Sequence, residues 1–298
     1  MNIKHRFLRT AVRKLLRFLP AKLYVKAVYF LTFKRRLNLG HPVLWTEKLQ
    51  WKKLYDRRPL LTLAADKYRV RKYVEEKVGD HILTKLLWVG ENPKEIPFDA
   101  LPESFVIKTN HGGAMNILVE DKSQVNVPDC IAVLQKWLRK SFYWPEKEWA
   151  YRNIKRLVFV EELLCNETGQ VPSDIKFYMI HGEVWMIDVH VDRFGNHKVF
   201  RLNGDFEPFD STMGTGSAIS CKLERPKHFI EMIEYAKKLS ADFDFIRVDF
   251  YDLPERVVFG ELTNYPTAGF KRLSYNLDKY LGEKWKLPNT CFSTPRNE

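Results

Sequence analysis

The sequence predicts an α+β protein, with amphipathic helices and antiparallel strands following a basic helical extension. Three observations predict this. Residues 245–266 read as two alternating strands, Phe245–Asp252 and Val257–Thr263, joined by a turn containing Pro254. Residues 174–202 read as a meander of three antiparallel strands, Asp174–Ile180, Glu183–Val191 and Lys198–Leu202. Helical periodicity recurs at 66–78, 130–142 and 228–239. With 298 residues and 45% hydrophobic content, the chain is long enough for a substantial core and two or three subdomains.

Charge is distributed unevenly. Residues 1–46 carry eleven of the 49 Lys and Arg residues and no Asp or Glu, so the rest holds 38 basic against 37 acidic side chains. A near-neutral body argues against a nucleic-acid-binding core. The four cysteines are scattered without a CxxC pair, which fits reduced thiols in the cytoplasm. No HExxH motif is present, and His190 and His197 flank a polar turn as surface residues.

Taken in order, residues 4–19 form a basic amphipathic helix. Leu8, Val12, Leu15 and Leu19 line one stripe, while Arg6, Arg9, Arg13 and Arg17 line another. Pro20 ends it, and an apolar piece at 22–33 precedes the cluster Lys34-Arg35-Arg36. The longest uncharged apolar run, 27–33, is too short to span a bilayer, and no signal-peptide pattern follows. The segment 4–36 is read as lying on an anionic membrane surface, the alternative being an apolar stripe packed on the body.

Residues 45–56 form a short aromatic helix. Asp66 caps the next one, Val70, Tyr73, Val74 and Val78 give its buried stripe, and Gly79 ends it. Residues 81–89 read as a strand and 90–102 as a loop with three prolines. A strand at 104–110 carries Lys108, the pair Gly112-Gly113 follows, and 115–119 returns as a strand. That loop is either a phosphate-covering flap above Lys108 or a tight hairpin turn.

The helix at 130–142 turns Ile131, Leu134, Trp137 and Leu138 inward. The apolar strand at 157–164 carries Glu161 and Glu162, and carboxylates in such a run need partners. Within the meander, Asp174 and Lys176 share a face as an ion pair or with the lysine on a phosphate. The glycine loop at 212–217 reads as a turn. The helix at 228–239 buries Phe229, Ile233, Ala236 and Leu239, and a short helix is expected around 276–281.

In the hairpin at 245–266, alternation puts Arg247, Asp249 and Tyr251 on one face, and Phe259, Glu261 and Thr263 on one face of the second strand. Pairing Asp252 with Val258 sets Asp249 opposite Glu261 and Arg247 opposite Thr263. Facing carboxylates repel, and a hard divalent cation between them would relieve this. A solvated sheet face is the alternative.

The order of these blocks resembles the ATP-grasp superfamily, and within it the branch typified by teichuronopeptide-biosynthesis ligases. The resemblance spans roughly residues 44–275. It is carried by WTEKLQWKKLYD at 45–56, DKYRVRKYV at 66–74, FVIKTNHGG at 105–113, the strand at 158–164, DIKF at 174–177, RVDFY at 247–251 and FGELTNYP at 259–266.

The resemblance implies two α+β subdomains clasping ATP, and an ADP-forming carboxylate–amine ligase that makes an amide through an acyl-phosphate. It assigns Lys67 and Lys108 to the nucleotide phosphates, His111, Gly112 and Gly113 to the flap, and Glu161, Glu162 and Leu164 to the adenine hinge. Asp174 and Lys176 join the ATP site. Arg247, Lys108 and Lys176 act on the transferred phosphoryl group, and Asp249, Glu261 and Thr263 hold Mg²⁺. Thr263 departs from the pattern, which has Asn two residues after the glutamate; neighbouring Asn264 is a possible substitute ligand. Domain bounds follow as 1–43 for the basic extension, 44–155 for the N-terminal and flap subdomains, 156–275 for the C-terminal subdomain and 276–298 for the tail.

The implied substrates are a uronic-acid-containing sugar or glycan and an amine such as an amino acid. They belong to capsule, O-antigen or teichuronopeptide assembly at the inner face of the cytoplasmic membrane. The rivals are a glycosyltransferase, for which Asp242-Phe-Asp244 is the nearest DxD spelling, a kinase on the same fold, and a non-catalytic scaffold.

Overall fold

The computed structural model describes residues 13–165, 172–191, 198–214 and 223–288. Two antiparallel sheets organise it. The first has strand order β1-β4-β2-β3, from Leu86–Gly90 (β1), Phe105–Thr109 (β2), Asn116–Val119 (β3) and Val158–Glu162 (β4). The second has order β7-β6-β5-β8-β9, from Asp174–Ile180 (β5), Glu183–Val191 (β6), Lys198–Leu202 (β7), Phe245–Asp252 (β8) and Val257–Thr263 (β9). The helices are Ala21–Phe33 (α1), Trp45–Tyr55 (α2), Pro59–Ala65 (α3), Val70–Lys77 (α4), Val127–Leu138 (α5), Tyr143–Glu146 (α6), Phe229–Ser240 (α7) and Tyr275–Lys284 (α8).

The alternation of the second sheet separates core from chemistry. Ile175, Phe177 and Met179 of β5 join Ile246, Val248 and Phe250 of β8 in a core shared with Phe229, Met232 and Ala236 of α7. The opposite face changes along its length. At one end Tyr178, Ile180 and Phe245 are covered by Trp45, Leu277, Leu281 and Trp285; at the other stand Asp174, Lys176 and Asp249. Helices α2 and α8 thus seal one half of this face and leave the charged half open.

Asp244, just before β8, fastens that seal. Its carboxylate accepts from Lys52 at 2.6 Å, Arg58 at 2.5 Å and the Trp285 indole at 2.8 Å, and Lys52 is fully buried. Asp242 binds Lys77 and Tyr73. The Asp242-Phe-Asp244 spelling is therefore a structural anchor, and neither carboxylate serves as a DxD metal ligand.

Several expectations are corrected. The boundary drawn at 155 cuts across the sheets, because β4 pairs with β1 and β2 while α2 packs on the second sheet. Residues 81–84 are not strand: a 3-10 turn at Asp80–Ile82 precedes β1. Helix α5 starts three residues early because Asn126 accepts from Asp129 N and Pro128 fits the first turn. The loop at 212–217 lies partly outside the described residues, as do Leu8, Val12, Arg6, Arg9 and His197.

The basic extension packs on the body more than its composition suggested. Tyr24, Val25, Val28 and Tyr29 of α1 are fully buried, and Leu16 and Leu19 pack beside them. Leu15, on the same predicted apolar stripe as Leu19, is 71% exposed. Arg13 donates to Thr32 and lies over the Phe270 ring near Glu146, and Arg35 bonds Asp278. Remote acids supply counter-charge that the segment itself lacks. No helix among the described residues is long and apolar enough to cross a membrane.

Candidate active site

A cleft of about 450 Å³ opens between the two sheets, a size suited to a nucleotide-sized ligand. Lys67, Lys108, Gly112, Gly113, Glu161, Glu162, Leu164, Asp174, Lys176, Asp249 and Glu261 line it, so segments far apart in the chain meet there.

The hairpin β8–β9 places Asp249 opposite Glu261 and Arg247 opposite Thr263, as the alternation predicted. At the turn, however, Asp252 pairs with Val257 and not Val258. A bulge absorbs the difference: Gly260 is the extra residue, and a Cβ there would stand 3.0 Å from the Asp249 carbonyl. The bulge also moves Phe259 off the Glu261 face, so its ring packs on Phe250 in the core.

Arg247 fills the space between the two carboxylates. Its Nε and one Nη donate to Asp249 at 2.6 Å each, and the same Nη reaches Glu261 at 2.7 Å and Thr263 at 2.9 Å. Lys176 bridges Asp249 at 2.5 Å and also bonds Asp174, while Lys67 pairs with Glu261. Burial alone would raise the Glu261 carboxyl, but Lys67, Arg247 and Lys176 outweigh it and hold it well below the usual carboxylate range. Arg247 thus stands behind the cleft wall as counter-ion to both carboxylates, and does not line the cleft.

No group of three or more His, Cys, Asp or Glu among the described residues is arranged to hold a metal ion. Two carboxylates from neighbouring strands still make an all-oxygen pair facing the cleft. That donor set fits Mg²⁺, which commonly takes one or two protein carboxylates plus water and substrate phosphate. Thr263 donates to Glu261 at 3.0 Å and adjoins this pair. Asn264 does not: it is buried and donates to the Leu61 carbonyl at 2.7 Å, because alternation turns it to the other face.

On the opposite wall, Glu161 accepts from Lys108 at 2.8 Å, Arg71 at 2.6 Å and Thr84 at 2.5 Å. Burial would raise this carboxyl, but Lys108 and its other partners lower it. Glu162 alternates outward to Arg256 at 2.9 Å. Arg71 was missed in the sequence; its signal is the i, i+4 spacing from Lys67.

The flap contains one correction. His111 is buried with its ring edge-on to Phe142, and it does not line the cleft. Burial and the nearby Arg156 lower its imidazole to about 4, so it is neutral. Gly112 is required by close approach, since a Cβ would meet the Phe142 ring at 2.2 Å, and Ala114 sits at φ 55°. Asn110 is equally structural: it bonds Asp66 and the Lys155 carbonyl at 2.9 Å each and accepts from Leu157 N at 2.7 Å.

Comparison with known proteins decides the family. The sequence family described as TupA-like ATPgrasp matches residues 47–286, most of the chain. The chain belongs to the TupA-like ATP-grasp family. Its two sheets clasping a cleft are this family's ATP-grasp α+β fold.

Three solved structures with a similar arrangement are remote in sequence. The ATP-grasp ligase PsnB, complexed with a phosphomimetic variant of its minimal precursor, Mg and ADP, is 14% identical with a TM-score of 0.41, over 74% of this chain and 57% of that one. The D-alanine–D-alanine ligase of Bacillus anthracis complexed with ATP is 13% identical with a TM-score of 0.41, over 69% and 57%. The purK enzyme, N5-carboxyaminoimidazole ribonucleotide synthetase in its ADP complex, is 12% identical with a TM-score of 0.43, over 74% and 50%. This TupA-like chain therefore spans little more than half the length of those enzymes. A search of curated protein sequences found no match.

Proposed function

We propose that this TupA-like ATP-grasp protein is an ADP-forming, Mg²⁺- and ATP-dependent carboxylate–amine ligase. The observation that carries the reading is the cleft: Lys108 and Lys176 from the two sheets, with Lys67 just before α4 and Arg71 at its start, converge on it beside the opposed Asp249 and Glu261. Phosphoryl transfer needs positioning and charge neutralisation more than covalent help, and this set supplies both. Lys67, Lys108 and the backbone of Gly112-Gly113 would hold the phosphates, the 161–164 segment the adenine, and Asp249 with Glu261 the magnesium. Bound magnesium would neutralise phosphate charge.

In the reaction, a substrate carboxylate oxygen bonds to the γ-phosphorus and ADP leaves, giving an acyl-phosphate. A neutral amine then attacks the acyl carbon, inorganic phosphate departs and the amine loses a proton. Lys176, which lines the cleft, would neutralise the negative charge that gathers in both steps, while Arg247 would hold Asp249 and Glu261 from behind the wall.

The family resemblance supports a uronic acid as the carboxylate and an amino acid or amino compound as the amine, in surface-polysaccharide assembly. A place at the inner face of the cytoplasmic membrane fits the surface of the extension. Leu15, Phe18, Leu23 and Phe30 are 71%, 91%, 54% and 50% exposed, beside exposed Lys14, Lys22 and Lys26. Such a face suits an anionic lipid surface. Phe18→Asp with Phe30→Asp is expected to abolish co-sedimentation with phosphatidylglycerol vesicles; unchanged sedimentation would remove the membrane from the reading.

The ligase itself is tested with Asp249→Asn and Glu261→Gln. Both are expected to lose magnesium-dependent ATP binding by calorimetry while keeping the far-UV spectrum. Unchanged ATP binding in both would refute the reading, and ADP release yielding a phosphorylated alcohol in place of an amide would make the protein a kinase.

A further inference from the structure

One charged row crosses the whole second sheet. Arg201, Asp188, Lys176, Asp249 and Glu261 stand in direct register on β7, β6, β5, β8 and β9. The proposed ligase chemistry uses only the last three. With strands about 4.8 Å apart, Asp188 lies roughly 10 Å from Asp249 on the same face, about one small substrate away.

The unused end is built around Asp188, which is fully buried. Its Oδ1 accepts from Arg201 Nε at 2.9 Å, and its Oδ2 accepts from the Tyr178 hydroxyl at 2.9 Å and from Lys271. Two cations therefore share one carboxylate, leaving an excess positive charge. A structural brace would need only one of them. Arg201 spends only its Nε on Asp188, and its two terminal nitrogens make no hydrogen bond among the described residues. The side chains of Lys271 and Arg201 are 15% and 19% exposed, so they are largely desolvated yet reachable.

The chain also invests strain in placing Lys271. Directly after β9, Thr267, Ala268 and Gly269 run at φ 53°, 54° and 73°. Two non-glycine residues in the left-handed region are costly and persist only when packing imposes them. Here Lys53 and Gln50 clamp the Ala268 carbonyl at 2.8 and 3.2 Å, and Gln50 also holds that of Gly269 at 2.8 Å. The turn thus delivers Lys271 onto Asp188.

We infer that Arg201 and Lys271 form a subsite for a carboxylate of a substrate bound beside the phosphoryl-transfer centre. A guanidinium with an open fork takes carboxylate in a bidentate manner, and Asp188 fixes its orientation. The inference rests on the ligase reading for the role of that substrate, though the subsite stands on its own geometry. Its carboxylate comes either from the sugar acid or from the amino acid.

The test is thermal stabilisation of the full chain by D-glucuronate, D-glucuronamide, L-alanine and L-alaninamide, each with and without Mg-AMPPNP. At least one acid is expected to stabilise the protein while its amide, which lacks the carboxylate, does not, and the pair that responds identifies the source. Arg201→Lys keeps a cation for Asp188 but removes the fork. It should weaken that acid roughly ten- to a hundredfold while leaving Mg-AMPPNP stabilisation intact. Equal protection by the amide, an unaltered response in Arg201→Lys, or no protection by either acid overturns the subsite. Failure of Mg-AMPPNP alone, with the acid response kept, counts against the ligase reading and not against the subsite.

Discussion

The substitution Arg247→Met removes the cation between Asp249 and Glu261 while keeping most of the side-chain length. Four hydrogen bonds disappear, two to Asp249, one to Glu261 and one to Thr263. Two carboxylates then face each other in register with only Lys176 and Lys67 as counter-ions. Removing one partner of a buried ion pair costs about 3–5 kcal/mol. The remaining lysines, and a Glu261 side chain 32% exposed, put the loss at the lower end, about 3 kcal/mol. With an unfolding entropy of about 2.1 cal/mol/K per residue over 298 residues, that corresponds to a fall of roughly 5 °C in Tm. The pH dependence has a definite sign. Glu261 is held low in the folded protein, so its contribution is present above the unfolded value of about 4.3 and is lost as pH falls through the lower folded value. Loss of the guanidinium shrinks that contribution, so the penalty should be full at pH 7 and shrink toward pH 3. Urea unfolding in EDTA, followed by circular dichroism at both pH values, measures it. A loss below about 1 kcal/mol at pH 7, or one equally large in acid, would refute the charge-compensation reasoning.

Three further outcomes are expected. Asp244→Asn leaves the fully buried Lys52 with only the Phe245 carbonyl at 3.1 Å and Asp56 at 3.9 Å, and should cost about 3 kcal/mol in chemical unfolding. Burial acts to raise the Asp244 carboxyl, but Lys52 and Arg58 hold it at about 2, so wild-type stability should fall between about pH 4 and 2 and the variant should lack that component. Glu161→Gln frees Lys108 and Arg71 from their shared acid. It should destabilise the protein by about 2–3 kcal/mol and steepen the salt dependence of fluorescent-ATP binding. Gly112→Ala should cost about 1–3 kcal/mol because its Cβ meets the Phe142 ring, whereas Gly113→Ala, with nothing within 4 Å, should cost little; paired thermal melts compare them.

Much of the fold and site was legible because it is local. Period-two alternation marked β5 to β9 with their observed bounds, and one hairpin was enough to set Asp249 against Glu261. The block order carried the ATP-grasp family, which the matched segment 47–286 establishes. The bulge at Gly260 was hidden, since one extra residue changes the turn-end register without changing the pattern near Glu261.

What the sequence by itself determined, then, is which face each side chain takes, because strand and helix periods are properties of the backbone. What only the tertiary structure decided is which remote group completes each charge. Arg247 lies between the two carboxylates, Glu146 and Asp278 balance the basic extension, His111 turns from the cleft to Phe142, and Lys271 is led onto Asp188. Apart from the Arg247 contacts, which lie within one hairpin, those pairings join segments tens to hundreds of residues apart. They are settled by packing and desolvation, which make an unpaired buried charge untenable and leave no trace in local periodicity.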